Sequence, residues 1–342
     1  MSPTRTPPRA DGGFALVEAL VTVLVLTIAL GVALTGFESL SETSDGAALM
    51  ADTNLNLRSA LNVMTRDLLS AGRDIPVGGI AVPSGDGAVP IVRPSATGTA
   101  LTFEAGATTL DSVTTGNALG PDVEGTATDV ITILIADTTL ALDQWPLADV
   151  AADGSTVTVD ARTTIDDDAT GVTAGDLVMF TTAGGSTLQM VTDRQSQTIY
   201  FDAGDPMLLN QRGAAQGTIL NLRTGGVYPP MTATRVLMVS YYLDGTDPHR
   251  PLLMRRVNLR PDRAIGIAIE NLQLTYDLVD GVTNPVNIAA PEAPNTADQI
   301  RKANVYLSGR SYREWRRTRQ VLRSSVATQV SLRSLAFVDR YR

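Results

Sequence analysis

The most constraining stretch of the chain is a run of 24 residues, Phe14 to Phe37, in which Glu18 is the only ionisable side chain. At about 1.5 Å of rise per helical residue it is roughly 36 Å long, enough to cross the ~30 Å hydrocarbon core of a bilayer with some tilt. A single segment can cross only as a helix, because lipid offers its backbone groups no hydrogen-bond partner. A cleaved secretory signal is the alternative, but its apolar region is usually about 7 to 15 residues long and ends at a small-x-small site. Arg5 and Arg9 precede the run, whereas Glu38, Glu42 and Asp45 follow it. The N-terminus is therefore expected to stay cytoplasmic, with everything beyond Phe37 outside.

Beyond this span, a chain of 342 residues that is 44% hydrophobic has material for a core and for more than one folding unit. Cysteine is absent, which rules out disulfides and thiolate metal sites. Charge is divided unevenly. Residues 301–342 carry 11 Lys and Arg against Glu314 and Asp339, while residues 14–300 carry 14 Arg against 33 acids. An acidic body thus ends in a basic tail.

A carboxylate inside hydrocarbon is costly unless it is paired, which makes Glu18 a functional candidate; its nearness to the interface is the plainer reading. Its surroundings favour function. Gly12 and Gly13 directly precede Phe14, and a short basic leader containing prolines precedes them. Cleavage after Gly13 would leave Phe14 as a new N-terminus with Glu18 as its fifth residue. This arrangement resembles the class III signal of type IV prepilins. The resemblance implies that prepilin peptidase reads Gly13, that Phe14 is N-methylated, and that Glu18 registers subunits by neutralising the α-amino group of a neighbour. That amine, with an ordinary pKa near 8, is as expensive in the bilayer as the carboxylate, so pairing cancels both penalties.

The helix is expected to continue past the membrane. No proline occurs between Phe14 and Ile75, and Met50, Leu57, Leu61, Met64 and Leu68 recur at separations of 7, 4, 3 and 4, with Arg58, Arg66 and Asp67 falling between them. Ala71-Gly72 followed by Pro76 signals the stop. Gly31, Gly36 and Gly46 are points where it can bend. After residue 77 the composition turns to Gly, Thr, Ala, Asp and Val, with short apolar runs separated by turn residues. Strands are expected at "ALTFEA" near 100, "DVITILIA" at 129, "STVTVDA" near 155, "DLVMFTT" at 176, "TLQMVTD" at 187, "TIYFD" at 198 and "TILNLR" at 218, with a hairpin turn at residues 183–186.

A second β unit reads "VSYYLDG", "PLLMRRV", "IGIAIENLQLTYDLVDG", "RKANVYLSGR" and "VATQVSLRS", and the helix closes on "RSALNVMTRDLLSAGRDIP". This order resembles the C-terminal sheet of PilW-type minor pilins and of the related J-type pseudopilins. The shorter length of J-type chains, and the usual lack of the fifth-position Glu in the large K-type, favour the PilW type. Many relatives carry cysteines; this chain departs from them. The expected fold class is α+β: a long N-terminal helix packed on a pilin-like β-sheet head with an inserted β-rich subdomain. The expected divisions are a leader at 1–13, a membrane or filament-core helix at 14–37, an amphipathic helix at 38–76, an inserted subdomain at 77–225, and a C-terminal sheet with basic tail at 226–342.

The resemblance implies a structural, non-enzymatic subunit that primes or tips a type IV pilus, held in the inner membrane before assembly. Its implied partners are minor and major pilins, prepilin peptidase, the inner-membrane assembly platform and a large tip adhesin. A type II secretion pseudopilin and a singly anchored extracytoplasmic binding protein or enzyme are the alternatives. No cofactor or metal is expected. The one histidine, His249, sits in the turn-rich "GTDPHRP", and no G-x-S-x-G, Walker or H-E-x-x-H motif occurs. "TIDDDATG" at 164–171, with Asp176 nearby, lacks EF-hand spacing and reads as a solvated loop. In "RSYREWRRTRQVLRS", Arg313, Trp315, Arg316, Arg317 and Arg319 interleave cations with rings. Such a stretch is suited to a nucleic-acid backbone, to the acidic remainder of the chain, or to acidic partners.

Overall fold

The computed structural model describes residues 15–96, 99–167 and 171–332. A single helix, α1, runs from Ala15 to Ser70, and a strand-rich region follows. The fold class is therefore α+β. Along α1 every residue from Leu16 to Ser41 is exposed. From Gly46 onward a stripe of Leu49, Thr53, Leu57, Ala60, Leu61, Met64, Asp67 and Leu68 is buried at spacings of three and four. Two details differ from expectation: Leu49 takes the buried position and Met50 is only half-buried, and Asp67 lies on the packed face, not the solvated one. Asp67 is tolerated there because it accepts hydrogen bonds from Tyr241 Oη at 2.6 Å and Arg255 Nε at 2.6 Å. The helix stops where expected. Gly72 takes a positive φ of 75°, and its N–H donates to Leu134 O at 2.9 Å, tying the helix end to a strand.

The principal sheet is organised around the 13-residue strand Thr232–Asp244. One of its edges pairs antiparallel with Ile131–Asp137. The other is shared end to end by two strands, Leu177–Thr182 along residues 232–236 and Leu252–Val257 along 239–244. Asn258, fully buried with a φ of 52°, bridges the gap between these two: its N–H donates to Met238 O, its Oδ1 accepts from Met238 N–H, and its Nδ2 donates to Gly175 O. Strands from both sides of residue 225 therefore belong to one sheet. The expected hairpin at 183–186 joins Leu177–Thr182 to Gly185–Met190.

Alternation along Thr232–Asp244 divides the interior. Val239, Tyr241 and Leu243 face α1 and join Ile131, Ile133 and Ile135. Val236 and Met238 join Leu134, Leu177, Met179 and Leu188 on the other side. Ala233 reaches a third cluster, with Val157, Phe180, Ile199, Phe201 and Ile219, in a satellite unit built from residues 140–233. Phe180 and Phe201 meet edge to face there at 5.3 Å. Arg93, buried beneath the main sheet, fixes the proline-punctuated segment: it donates to Thr132 Oγ1 at 3.0 Å and to the carbonyls of Thr114, Thr115 and Val130, and burial lowers its guanidinium to about 10.

Two expected strands are absent among the described residues. "TILNLR" forms a 3-10 turn, Ile219–Leu222, because Asn221 Oδ1 accepts the Thr218 N–H and so folds the chain back. Ile219 and Leu222 then enter the core together, a separation of three replacing the expected alternation. Around "ALTFEA" only an isolated bridge between Val92 and Thr102 forms. A third difference concerns residues 263–278, which make two strands, Arg263–Ile267 and Ile269–Leu278, broken at Ala268 with a φ of 55°. The first belongs to the principal sheet. The second starts a separate antiparallel sheet with Ile300–Arg310 and Arg323–Ser331. Leu57, Met64 and Leu68 of α1 pack against both sheets, together with Leu272, Leu274, Val305 and Val330.

A candidate functional surface at the neck of the helix

From Leu16 to Ser41, α1 is exposed throughout among the described residues. Its threonines remove their own polarity, since Thr22, Thr27 and Thr43 each donate a hydroxyl hydrogen bond to the carbonyl four residues back, at 2.6, 2.7 and 2.8 Å. Glu18 lies in the first turn as the only charge from Ala15 to Phe37, exposed among Leu16, Val17, Leu20 and Val21. Gly13 and Phe14 lie outside the described residues. The helix is long and apolar enough to cross a membrane by length and composition.

Where exposure gives way to burial, a hairpin loop closes on the helix. It connects Ile300–Arg310 to Arg323–Ser331 and is held at its base by four charges. Arg310 contacts Glu124 at 2.7 Å and Glu270 at 3.2 Å, while Arg323 contacts the same two acids at 2.7 and 2.9 Å. Further out, Arg313 forms a two-pronged pair with Asp45 of α1, with one contact at 3.1 Å. That hydrogen bonding holds the Asp45 carboxyl below the usual carboxylate range. Trp315 then lies against the helix: its Nε1–H donates to Glu42 O at 2.8 Å, and its ring fills the space beside Gly46. A Cβ at Gly46 would stand 2.7 Å from the ring, so glycine is what permits the close approach.

Of the five expected contact residues, Arg313 and Trp315 are thus engaged within the chain, on the helix neck. Arg316, Arg317 and Arg319 stay exposed at the tip, with the Arg317 guanidinium 5.7 Å from the Trp315 ring centre. Trp315 bridges Gln320, closing the tip into a tight turn with Arg319 at a φ of 54°. Within residues 310–323, pairing with acids of the body accounts for Arg310, Arg313 and Arg323, and the charge of Arg316 also acts on Asp45.

The remaining candidates resolve locally. His249 is exposed, and its backbone N–H donates to Asp247 Oδ1 at 2.9 Å, as in a simple turn. Asp176 has no exposed side-chain surface, and its oxygens are taken by Arg260, Arg235 and the Thr173 N–H. Asp168 lies outside the described residues, and among those described no group of three His, Asp or Glu is placed to hold a metal ion. Sequence reasoning did not single out Asp67. The available signal was its position three residues after Met64 and one before Leu68, on the apolar stripe itself. Comparison with protein-family models, curated proteins and solved structures found no match.

Proposed function

We propose that this chain is a minor-pilin-like subunit of the PilW type, processed after Gly13 and incorporated into a type IV pilus, where it primes or tips the filament. The observation that carries the reading is the bare apolar rod from Leu16 to Ser41, 26 residues that no other described residue covers, with Glu18 in its first turn. Such a surface is far larger than a soluble monomer leaves open, so it requires lipid or neighbouring helices around it. A single carboxylate near one end suits both environments, because in lipid it lies near the interface and in a bundle it can meet a neighbour's amine. The buried second half of α1 supports the same reading, since it fixes the rod to the head. Before assembly the subunit stands in the inner membrane with its head outside; its partners are other pilins, the peptidase, the assembly platform and a tip adhesin.

The test is intact-mass and N-terminal peptide analysis of the protein from its native membrane, with and without Glu18→Ala. A mature end at methylated Phe14, together with loss of the variant from purified filaments, is the expected result. An intact Met1 end overturns it. Co-purification with pilus subunits, as opposed to secretion-machine subunits, separates the pilus from the pseudopilin reading.

A further inference from the structure

We propose that the tip of the 310–323 hairpin is a lipid-headgroup contact, in which Arg316, Arg317 and Arg319 engage the phosphates of anionic phospholipid at the surface of the bilayer that α1 crosses. The proposal rests on the membrane-spanning part of the reading above and not on processing at Gly13 or on filament incorporation. Its first support is the direction of the hairpin. Val330 packs with Leu57 to Leu68, Ser324 donates to Asn54, Arg313 pairs with Asp45, and Trp315 reaches Glu42. Moving from the strand toward the tip therefore means moving down α1, out of the head and toward the apolar rod.

The second support is height. Glu42 lies five residues beyond Phe37, about 7.5 Å of helical rise. The polar layer between the hydrocarbon core and bulk water is about 5 to 7 Å deep on each side. The hairpin, anchored through Trp315 at Glu42, thus holds its tip at the outer edge of the headgroup layer, within reach of long arginine side chains. Its residue types match that level, because Trp and Tyr sit at membrane interfaces and guanidinium groups pair with phosphate in a bidentate manner. Tyr312 is 61% exposed, all three arginines are exposed, and the Arg317 guanidinium stands 5.7 Å from the Trp315 ring centre.

The charges at this level are balanced. Arg313 is neutralised by Asp45, and Glu38, Glu42 and Glu314 are the other acids nearby. Net attraction over the whole neck is therefore small, and the contact comes from directed hydrogen bonds of the exposed guanidiniums to phosphate that no choline cation neutralises, which selects anionic phospholipid.

The chain has two tryptophans, Trp145 and Trp315, so Trp145→Phe leaves Trp315 as sole reporter. The full-length variant is placed in phosphatidylcholine vesicles with or without phosphatidylglycerol, each carrying a nitroxide at the headgroup. The expected result is quenching of Trp315 that rises with phosphatidylglycerol and is lost in Arg316→Glu/Arg317→Glu/Arg319→Glu. The three sites are exposed, and retained melting and circular dichroism of that variant exclude unfolding as the cause. Quenching that is absent, or equal in parent and triple variant, overturns the proposal. A signal indifferent to phosphatidylglycerol but changed by a single-stranded oligonucleotide assigns the tip to nucleic acid and overturns it equally. None of these outcomes bears on Phe14 methylation, so failure here leaves the processing reading standing.

Discussion

Asp67 shows how one buried carboxylate fixes the end of a helix. Arg255 and Tyr241 both point at it, and burial, followed by the neighbouring Asp67 charge, raises the Tyr241 phenol far above its usual value. Asp67→Ala leaves Arg255 facing an apolar interior and should cost about 3 kcal/mol, at the low end for a buried pair because Arg255 keeps some solvent access. Tyr241→Phe removes one neutral donor and should cost about 1 kcal/mol. Denaturant unfolding of both variants checks the ranking; equal losses would contradict the ionic account. Asp111 behaves oppositely. Burial, with the negative Asp298 as a second cause, raises its carboxyl to about 6. The folded protein then holds a proton that the unfolded chain has released, so stability falls as pH rises from about 4 to 6 and the loss persists above. Asp111→Asn should therefore stabilise the protein by on the order of 1 to 2 kcal/mol at pH 7.5 and leave it unchanged at pH 4, as read by melting curves at the two pH values.

At the scale of elements, the helix neck is a clasp with an acid-sensitive pin. The Asp45 carboxyl is depressed, first by the Arg313 hydrogen bond, so its contribution is fully present above its ordinary value near 4 and is lost as pH falls through the lower folded value. With Trp145→Phe, the Trp315 emission should shift to the red on acidification below that range, whereas Asp45→Asn should show the shifted emission at neutral pH. Gly46→Ala should improve helix propensity yet displace the ring, giving the same red shift without loss of helicity. How much of this was readable follows from what each signal needs. The helix, its stop at Gly72, and most strands were legible because 3.6- and 2-residue periods are local. "TILNLR" misled because one side chain, Asn221, overrode the alternation. The role of Asp67, and the docking of Arg313, depend on partners 188 and 268 residues away, which no local pattern names. The pairing of residues 131–137 and 177–182 with the strand Thr232–Asp244 was hidden for a related reason, since strand partners at long range leave no mark on composition.

The whole molecule separates into a rod that needs cover and a head that does not. A chain beginning at Leu40, which retains Glu42 and Asp45, should be monomeric without detergent and should melt close to the full-length protein in detergent; aggregation in size-exclusion chromatography would contradict that division. Within the head, the Thr232–Asp244 strand is the one member shared by the three larger cores, and Asn258 closes the seam where two shorter strands abut along it. In mechanical terms it is a splice plate: a pull along its axis loads its ladder hydrogen bonds in parallel, as shear. The helix, by contrast, is joined to both sheets by side-chain packing and the Asp67 contacts, and at its neck by a clasp that can open one contact at a time. A subunit drawn by its rod should therefore part at the helix neck, Trp315 first, while the long strand and the two cores beyond it stay closed.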